Sequence, residues 1–271
     1  VKAPIVGKYD WIYDLDLTSL YPSIIMTLNI SPESKIGKIQ DWDVQKYLNK
    51  EVDTYYIDGD TITKENLKQY LEKSKFSVAS NGVLYRTDEV GCIPGILDLW
   101  FAQRVEYKNE MKKYGKAGDK EKYAFFHKRQ LVQKILLNSL YGVLGLPAFR
   151  FYDVDNATAV TTTGQTVIKS TADMANIKYN KELDTPDADS NIYIDTDSVF
   201  FSAVPLMDKW YPNWKDTDQD TIAGYVNVIA EEMQDYLNDF YDILSTKILN
   251  VDADKHRLEI KKEYVAKAGL W

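Results

Sequence analysis

Two aspartates one residue apart, Asp195 and Asp197, interrupt a strand-like run of β-branched and aromatic residues from Tyr193 to Phe200. Because aspartate is a poor strand former, this pattern predicts a hairpin with half-buried arms and the two acids at its tip. Carboxylate oxygens are the ligands that hard cations such as Mg²⁺ accept. Aspartate is also common in ordinary hairpin turns, so the pair indicates a metal site only if another carboxylate joins it.

A further acid, Asp16, stands at the end of a second strand-like run, Tyr9 to Leu17. Serine and threonine follow at a predicted turn, and a short helix is expected to continue to Asn29, with Pro22 tolerated in its first turn. An acid at the end of a core strand is held rigidly and stays accessible to water and ligands. Asp16 is therefore the candidate partner of the hairpin acids.

The charge of the chain is unevenly distributed. The formal net charge is −8, yet the segment from Arg104 to Lys134 has ten Lys and Arg against four acids, and Pro205 to Asp254 has eleven acids against three lysines. The first segment is suited to phosphates and the second repels them. Charge runs are also common on solvated helix faces, so the asymmetry alone is weak evidence.

Two helices are predicted in the basic segment, Ile96 to Tyr114 and Lys120 to about Gly145, with glycines between them. They are expected to form an antiparallel hairpin. Helical spacing places one set of polar residues on a shared face of each helix: Arg104, Lys108 and Lys112 on the first, Lys134, Asn138 and Tyr141 on the second. These faces are suited to binding a polyphosphate and a base pair. The alternative is a solvent-exposed basic helix pair in which Tyr141 is half packed.

Other patterns exclude several classes of site. The single cysteine, Cys92, excludes an internal disulfide, and no apolar run approaches the roughly 20 residues of a membrane span. Neither a P-loop nor a Rossmann glycine pattern occurs. The acidic run at Asp216 imitates an EF-hand, but Thr221 and Asn227 replace the required Gly and Glu.

The remaining chain is expected to be mixed. The predicted elements are a hairpin at Asn81-Gly82 within Phe76 to Arg86, an extended segment from Leu146 to Val154, a helix from Asn156 to Leu183, a loop from Pro205 to Asp218, a helix from Thr221 to Asn250 and a strand pair from His256 to Trp271.

Together, Asp16, Asp195 and Asp197 with a cationic helical hairpin form a coherent chemical set. Two metal ions about 3.5 to 4 Å apart, bridged by carboxylates, can activate a hydroxyl and stabilise the leaving oxygen of an in-line phosphoryl displacement. Lys and Arg then balance the charge of a triphosphate.

The same residues carry a family resemblance. The segments Asp16 to Ile25 (DLTSLYPSII), Lys134 to Gly142 (KILLNSLYG) and Tyr193 to Ser198 (YIDTDS) resemble, in order, the first palm motif, the fingers motif and the D-T-D-S motif of family B DNA polymerases. Further similarity at Asn29 to Glu33, Ser80 to Gly82 and Phe149 to Thr158 points to the replicative polymerases of T-even-type tailed phages. The resemblance covers nearly the whole chain.

The resemblance implies an α+β fold, in which a palm with an antiparallel sheet backed by helices carries an antiparallel two-helix fingers hairpin. It divides the chain into an N-terminal part of the palm (residues 1–95), the fingers (96–146) and a C-terminal part of the palm (147–271). A basic primer-gripping segment, a thumb and an N-terminal exonuclease, which the family has, are not in this sequence, so the chain is expected to be a fragment. Ile194 stands where the family most often has Gly.

The resemblance also implies roles for single residues. Catalysis is assigned to Asp16 and Asp197, with Asp195 the less essential acid, and two Mg²⁺ ions, for which Mn²⁺ can substitute, are assigned to Asp16, the Leu17 carbonyl, Asp197 and Glu263, with Glu259 as the alternative to Glu263. The incoming nucleotide is assigned to Ser19, Leu20, the steric gate Tyr21, Arg104, Lys108, Lys134 and Asn138, and the nascent base pair to Tyr141 and Gly142.

The implied function is template-directed DNA synthesis from dNTPs on primer-template DNA, in the cytoplasm of an infected bacterial cell and without a membrane partner. A non-catalytic or split-polymerase subunit is the main alternative, which would need a separate thumb or exonuclease chain, and a sliding clamp is a further expected partner. A metal-dependent nuclease is a weaker alternative, because a nuclease needs neither a fingers motif nor a steric gate.

Overall fold

The computed structural model describes residues 2–271. In chain order its strands are β1 (Lys8–Leu17), β2 (Lys35–Lys38), β3 (Thr54–Ile57), β4 (Asp60–Thr63), β5 (Phe76–Val78), β6 (Val83–Arg86), β7 (Asn191–Asp195), β8 (Ser198–Ser202) and β9 (Ile260–Leu270).

The helices of the same residues are α1 (Leu20–Leu28), α2 (Val44–Leu48), α3 (Lys64–Ser74), α4 (Cys92–Lys116), α5 (Lys120–Leu144), α6 (Val154–Leu183), α7 (Val204–Trp210) and α8 (Gln219–Leu244). Within the described part of the chain, none of them combines the length and the apolar character of a membrane span. Helices and antiparallel sheets together confirm the predicted α+β class.

The chain packs into two compact units. The first contains the N-terminal segment up to Leu20, Gly164–Leu244 and Leu258–Trp271, and the second contains Tyr21–Thr163 and Ser245–Arg257. The first unit is built on an antiparallel sheet with the strand order β7-β8-β1-β9. Strand β1 is therefore central, which explains why almost all of its second half is buried.

Aromatic rings fill one side of the first unit's sheet. Tyr13 of β1 stacks on Phe201 of β8 with ring centroids 5.7 Å apart, and Phe201 stacks on Tyr179 of α6 at 5.4 Å. The Tyr179 hydroxyl donates a hydrogen bond to the Ser202 carbonyl at 2.9 Å and lies 3.0 Å from the Tyr13 hydroxyl. Burial raises the pKa of both phenols, so both remain protonated.

Replacing Tyr179 with Phe is expected to destabilise the chain by about 1 to 2 kcal/mol, because it leaves the partly buried Ser202 carbonyl and the buried Tyr13 hydroxyl without this partner. Urea unfolding followed by circular dichroism measures the change. Tyr9→Phe is the matched control, since its hydroxyl donates to the Ile5 carbonyl at the surface. Equal stability of the Tyr179 variant and the control would contradict the role of the buried hydroxyl.

Polar side chains of α8 cover one end of the edge strand β9. The Gln234 side chain accepts a hydrogen bond from the Lys262 backbone amide at 2.9 Å. The Asn238 side chain accepts a hydrogen bond from the Ile260 backbone amide at 2.9 Å and donates one to the Ile260 carbonyl at 3.1 Å. The Lys262 ammonium in turn donates to Asn227 at 2.7 Å. These bonds satisfy backbone groups that an edge strand otherwise leaves unpaired.

The second unit contains two small antiparallel sheets, β2-β6-β5 and β3-β4. The predicted hairpin at Asn81-Gly82 is confirmed: it joins β5 and β6, and Gly82 has φ +86, which favours glycine. A core of aliphatic and aromatic residues packs α3 against these strands, including Ile39, Tyr55, Ile57, Leu67, Leu71, Val78 and Leu84.

Helices α4 and α5 form the predicted antiparallel pair, with Gly118 at φ +72 in the turn between them. Asp119 caps α5 by accepting the Lys122 amide at 3.0 Å. Helix α4 begins at Cys92, four residues before the predicted start, because Pro94 is tolerated in a first helical turn.

Three local predictions were wrong. The segment predicted as a loop after Pro205 contains α7, whose first turn accommodates that proline. The predicted strand pair after His256 is the single strand β9, whose first nine residues contain no Gly, Pro, Asn, Asp or Ser. The segment predicted as extended before Val154 consists of turns, closed by the Phe149 amide donating to the Leu146 carbonyl and the Tyr152 amide to the Phe149 carbonyl.

Candidate active site

The register of the first unit's sheet places two of the predicted acids in one row. Asp16 of β1 and Asp195 of β7 both lie opposite Ser198 of β8. Directly opposite residues of antiparallel strands point to the same face of the sheet. Asp16 and Asp195 therefore flank Ser198 on one face, at the ends of their strands.

The hairpin tip is tied to the end of β1. The Leu17 amide donates to the Asp197 carbonyl at 2.8 Å, which fixes Asp197 beside Asp16 in the neighbouring strand. Within the tip, the Thr196 hydroxyl donates to the Asp195 carboxylate at 3.2 Å and the Ser198 hydroxyl to the Asp195 carbonyl at 3.2 Å. The backbone hydrogen bond thus places the two principal acids at adjacent strand ends.

Two residues near these acids have strained backbones. Thr196 in the hairpin turn has φ +40, and Ser19 after β1 has φ +49. Left-handed conformations cost a residue with a side chain about 1 kcal/mol or more, and such strain often occurs at functional sites. Thr196 lies between Asp195 and Asp197, and Ser19 is itself a predicted nucleotide-site residue.

The start of β9 adds a cation to this row, and the residue directly before β9 adds a neighbouring acid. Lys261 lies opposite Asp16, and its ammonium pairs with the Glu259 carboxylate at 2.7 Å. The Thr18 amide donates to the Glu259 carbonyl at 2.8 Å. Glu259 therefore lies one pleat beyond Asp16 towards the carboxyl end of β1.

Glu263 lies on the other side of Asp16 along β1. The register shifts between the pairs Tyr13–Val265 and Leu15–Lys262, so Glu263 and Tyr264 form a bulge opposite Asp14. The Tyr264 amide donates to the Asp14 carboxylate at 2.9 Å. Asp14 is only 3% exposed, and this burial, with the nearby Glu263 charge, raises the pKa of Asp14.

The donors at the strand ends match the chemistry of a hard divalent cation. They are the half-buried carboxylates of Asp16 and Asp197 and the carbonyl of Leu17, all oxygen ligands of the kind that Mg²⁺ accepts. Within residues 2–271, no three or more His, Cys, Asp or Glu side chains converge on a ready-made metal site. The residues present therefore provide two carboxylates and a carbonyl, flanked by Glu259 and Glu263.

The predicted triphosphate ligands lie in the second unit, on α4 and α5. The Gln133 side-chain amide donates a hydrogen bond to the Gln103 side chain at 2.8 Å, which joins the two helices. Gln103 directly precedes Arg104 in the chain. Gln133 directly precedes Lys134. These two cations consequently lie at the same level of the helix pair, and Lys108 follows Arg104 one turn along α4. Burial lowers the pKa of the Arg104 guanidinium.

The structure brings two predicted nucleotide-site tyrosines together. The centre of the Tyr21 ring, near the start of α1, lies 4.3 Å from the centre of the Tyr141 ring on α5, and the two ring planes are tilted by 37°. Asn138 lies one helical turn before Tyr141, and Gly142 follows it. A Cβ atom at Gly142 would have no neighbour within 4 Å, so packing within the unit does not explain this glycine.

Four residues near the predicted sites were not identified from the sequence: Lys261, Gln103, Gln133 and Asp14. The position of Lys261 opposite Asp16 depends on the pairing of β9 with β1, which no local sequence pattern indicates. Gln103 and Gln133 form a contact between two helices and carry no motif. Only Asp14 could have been identified from the sequence, because strand alternation places it on the same face as Asp16.

Comparison with known proteins identifies the family. The model of DNA polymerase family B matches residues 1–208. The DNA-directed DNA polymerases of Escherichia phage RB69 and Enterobacteria phage T4 are 28% and 31% identical over 77% and 76% of this chain, and a DNA polymerase of Thermococcus gorgonarius is 29% identical over 88%.

The matched regions cover 27%, 26% and 23% of these relatives, so the chain spans about a quarter of their length. The family match covers most of the chain and contains the Asp16 segment, the α4–α5 pair and the Asp195–Asp197 hairpin. The predicted resemblance is thereby confirmed, and the chain belongs to DNA polymerase family B.

Proposed function

We propose that this chain is a palm-and-fingers portion of a DNA polymerase that catalyses template-directed DNA synthesis. The primer 3′-oxygen forms a bond to the α-phosphorus of a dNTP, the bond between the α- and β-phosphates breaks, and pyrophosphate leaves. One observation supports this most strongly: the Leu17 amide bonded to the Asp197 carbonyl holds Asp16 and Asp197 at adjacent strand ends.

Asp16, Asp197 and the Leu17 carbonyl are proposed to hold two Mg²⁺ ions, or Mn²⁺ in their place. When bound, such ions lower the pKa of the attacking hydroxyl and stabilise charge on the leaving oxygen. Asp195, exposed at the hairpin tip, contributes less. Glu263 is the proposed additional carboxylate, with Glu259 as the alternative, because the register places one on each side of Asp16.

The incoming nucleotide is proposed to bind through its triphosphate to Arg104, Lys108 and Lys134. A guanidinium and two ammonium groups offset much of the negative charge of the triphosphate, and Asn138 adds an amide donor. Ser19 and Leu20, directly before Tyr21 in the chain, contribute backbone groups. The strained φ of Ser19 is consistent with a backbone shaped for binding.

Tyr21 is proposed to lie under the sugar of the nucleotide and to exclude a 2′-hydroxyl. Its contact with Tyr141 restrains the ring, since a side chain packed on a neighbour has fewer rotamers available. Tyr141 and Gly142 are proposed to contact the nascent base pair. The open space over Gly142 within its unit is consistent with a close approach by a ligand.

The proposed substrates follow from the names of two phage relatives, both DNA-directed DNA polymerases. Primer-template DNA and dNTPs are the substrates, and a separate thumb or exonuclease chain and a sliding clamp are further proposed partners. The proposed location is the cytoplasm of an infected bacterial cell.

Primer extension by the 271-residue chain tests this function. A labelled primer-template, the four dNTPs and Mg²⁺ are incubated with the chain alone and with a separately supplied thumb fragment of a phage relative. Extension by the chain alone supports the proposal directly, and extension only on mixing favours a split-polymerase subunit. Absence of extension in both, with Mg²⁺ and with Mn²⁺, would contradict the proposed function.

A further inference from the structure

The end of the α4–α5 pair carries an unusual concentration of aromatic rings and cations. We call it the tip cluster and define it as Tyr107, Tyr114, Tyr123, Phe125 and Arg129. Phe125 and Tyr123 are 50% and 41% exposed. Their ring surface is therefore available to a binding partner.

Cations lie over the rings of the tip cluster. The Arg129 guanidinium carbon is 4.7 Å from the centre of the Phe125 ring and 5.7 Å from that of Tyr107, and its nitrogen donates to the Tyr107 hydroxyl at 3.4 Å. The Lys122 and Lys113 ammonium groups lie 4.8 and 5.3 Å from the centre of the Tyr114 ring. Flat rings beside planar or compact cations offer both stacking and electrostatic attraction.

The sequence around the cluster is strongly basic. Lys112 to Arg129 contains seven Lys and Arg against two acids. Asp119, one of the two acids, accepts the Lys122 amide as the cap of α5. The resulting positive field attracts a polyanion rather than a neutral ligand.

The proposed stacking rings of the tip cluster, Phe125 and Tyr123, lie away from the nucleotide residues proposed above, whereas Tyr107 directly precedes Lys108 in the chain. Phe125 precedes Lys134 by nine residues on α5, which is roughly 13 Å along a helix. Tyr114 follows Arg104 by ten residues on α4, or roughly 15 Å. Binding at the tip is therefore measurable without a dNTP or a metal ion.

We infer that the tip cluster is a binding surface for single-stranded nucleic acid, with unpaired bases stacking on Phe125 and Tyr123 and phosphates near Arg129 and the neighbouring lysines. Proteins that bind single strands without sequence preference combine aromatic platforms with cationic grooves in this way. An acidic peptide would use the charge alone, whereas the exposed ring under a guanidinium favours bases. This surface is additional to the proposed catalytic reaction and does not depend on it.

Fluorescence anisotropy of a labelled oligothymidylate of about 15 nucleotides, with the whole chain and without metal or dNTP, tests the inference. Phe125→Leu keeps apolar volume but removes the ring, and it is expected to weaken binding roughly tenfold. Phe125→Tyr keeps the ring and is expected to bind like the parent chain. Arg129→Ala is expected to lower the salt slope by roughly 0.7, as for one lost phosphate contact on a single strand.

Tyr56→Ala is the matched control, since Tyr56 is a 51% exposed tyrosine on β3 of the same unit. It is expected to leave oligothymidylate binding unchanged. Equal affinity of Phe125→Leu and the parent chain would overturn the inference, and tight binding of poly-glutamate under those conditions would identify an acidic-peptide surface instead. The assay contains no primer, so its outcome is independent of the primer-extension result.

Discussion

Replacing Asp197 with Asn is expected to abolish primer extension, with a rate roughly a thousandfold or more below that of the parent chain. The substitution removes one of two carboxylates proposed to hold the divalent ions, whose stabilisation of the reacting oxygens is worth several kcal/mol. The fold is expected to survive, because the Leu17 amide bonds to the backbone carbonyl at position 197, which Asn retains. Single-turnover extension at saturating dNTP measures the loss.

Two aspartate variants make this prediction specific. Asp195→Asn changes an exposed acid on the same hairpin and is expected to reduce the rate by a smaller factor. Asp220→Asn, at the start of α8, is expected to have no effect on extension. Persistence of the parent rate in Asp197→Asn, with circular dichroism unchanged, would remove Asp197 from the proposed catalytic site.

Tyr21→Ala is expected to increase incorporation of ribonucleotides relative to deoxyribonucleotides by roughly 10- to 100-fold. Forcing an extra group into a packed site costs about 1 to 3 kcal/mol, and removing the ring creates the space that a 2′-hydroxyl needs. The ratio of kcat/KM for the two substrates is the appropriate measurement. It separates discrimination from a general loss of activity.

Tyr21→Phe is the matched control for this position. It keeps the ring and its packing on Tyr141, so discrimination is expected to remain close to that of the parent chain. Tyr141→Ala removes the neighbouring ring and is expected to relax discrimination to a smaller degree, because Tyr21 then has more freedom. Unchanged selectivity in Tyr21→Ala would refute the steric-gate assignment.

Local patterns in the sequence were sufficient for much of the fold. Apolar runs interrupted by Asp16 and by the Asp195–Asp197 pair predicted the strand end and the hairpin, because acids are disfavoured inside strands. Glycines and a capping aspartate marked the turn between α4 and α5. The helix pair followed from these local signals, whereas the α+β class was implied by the family resemblance.

Pairing between distant segments was not predictable in the same way. Nothing near Ile260–Leu270 indicates that it forms one strand beside β1, or that a bulge places Glu263 opposite Asp14. These features depend on register, which is set by packing over the whole sheet. The choice between Glu259 and Glu263 therefore remained open at the sequence level, and the register places one on each side of Asp16.

Helix α7 was missed for a different reason. Pro205 and the tryptophans around it favoured a loop, although proline is compatible with a first helical turn. Leu206 and Met207 are buried, so tertiary packing stabilises a short helix that local preference does not specify. The tip cluster likewise depends on a tertiary contact, because its residues come together only through the packing of α4 against α5.

Binding of Mn²⁺ to the whole chain most directly tests whether Asp16 and Asp197 share divalent ions. Electron paramagnetic resonance measures free Mn²⁺ in titrations of the parent chain, Asp16→Asn, Asp197→Asn and the double variant. If the two carboxylates hold the same ions, each single variant loses the tight binding and the double variant loses little more. Parent-like binding in both single variants, or independent and additive losses, would contradict the shared site.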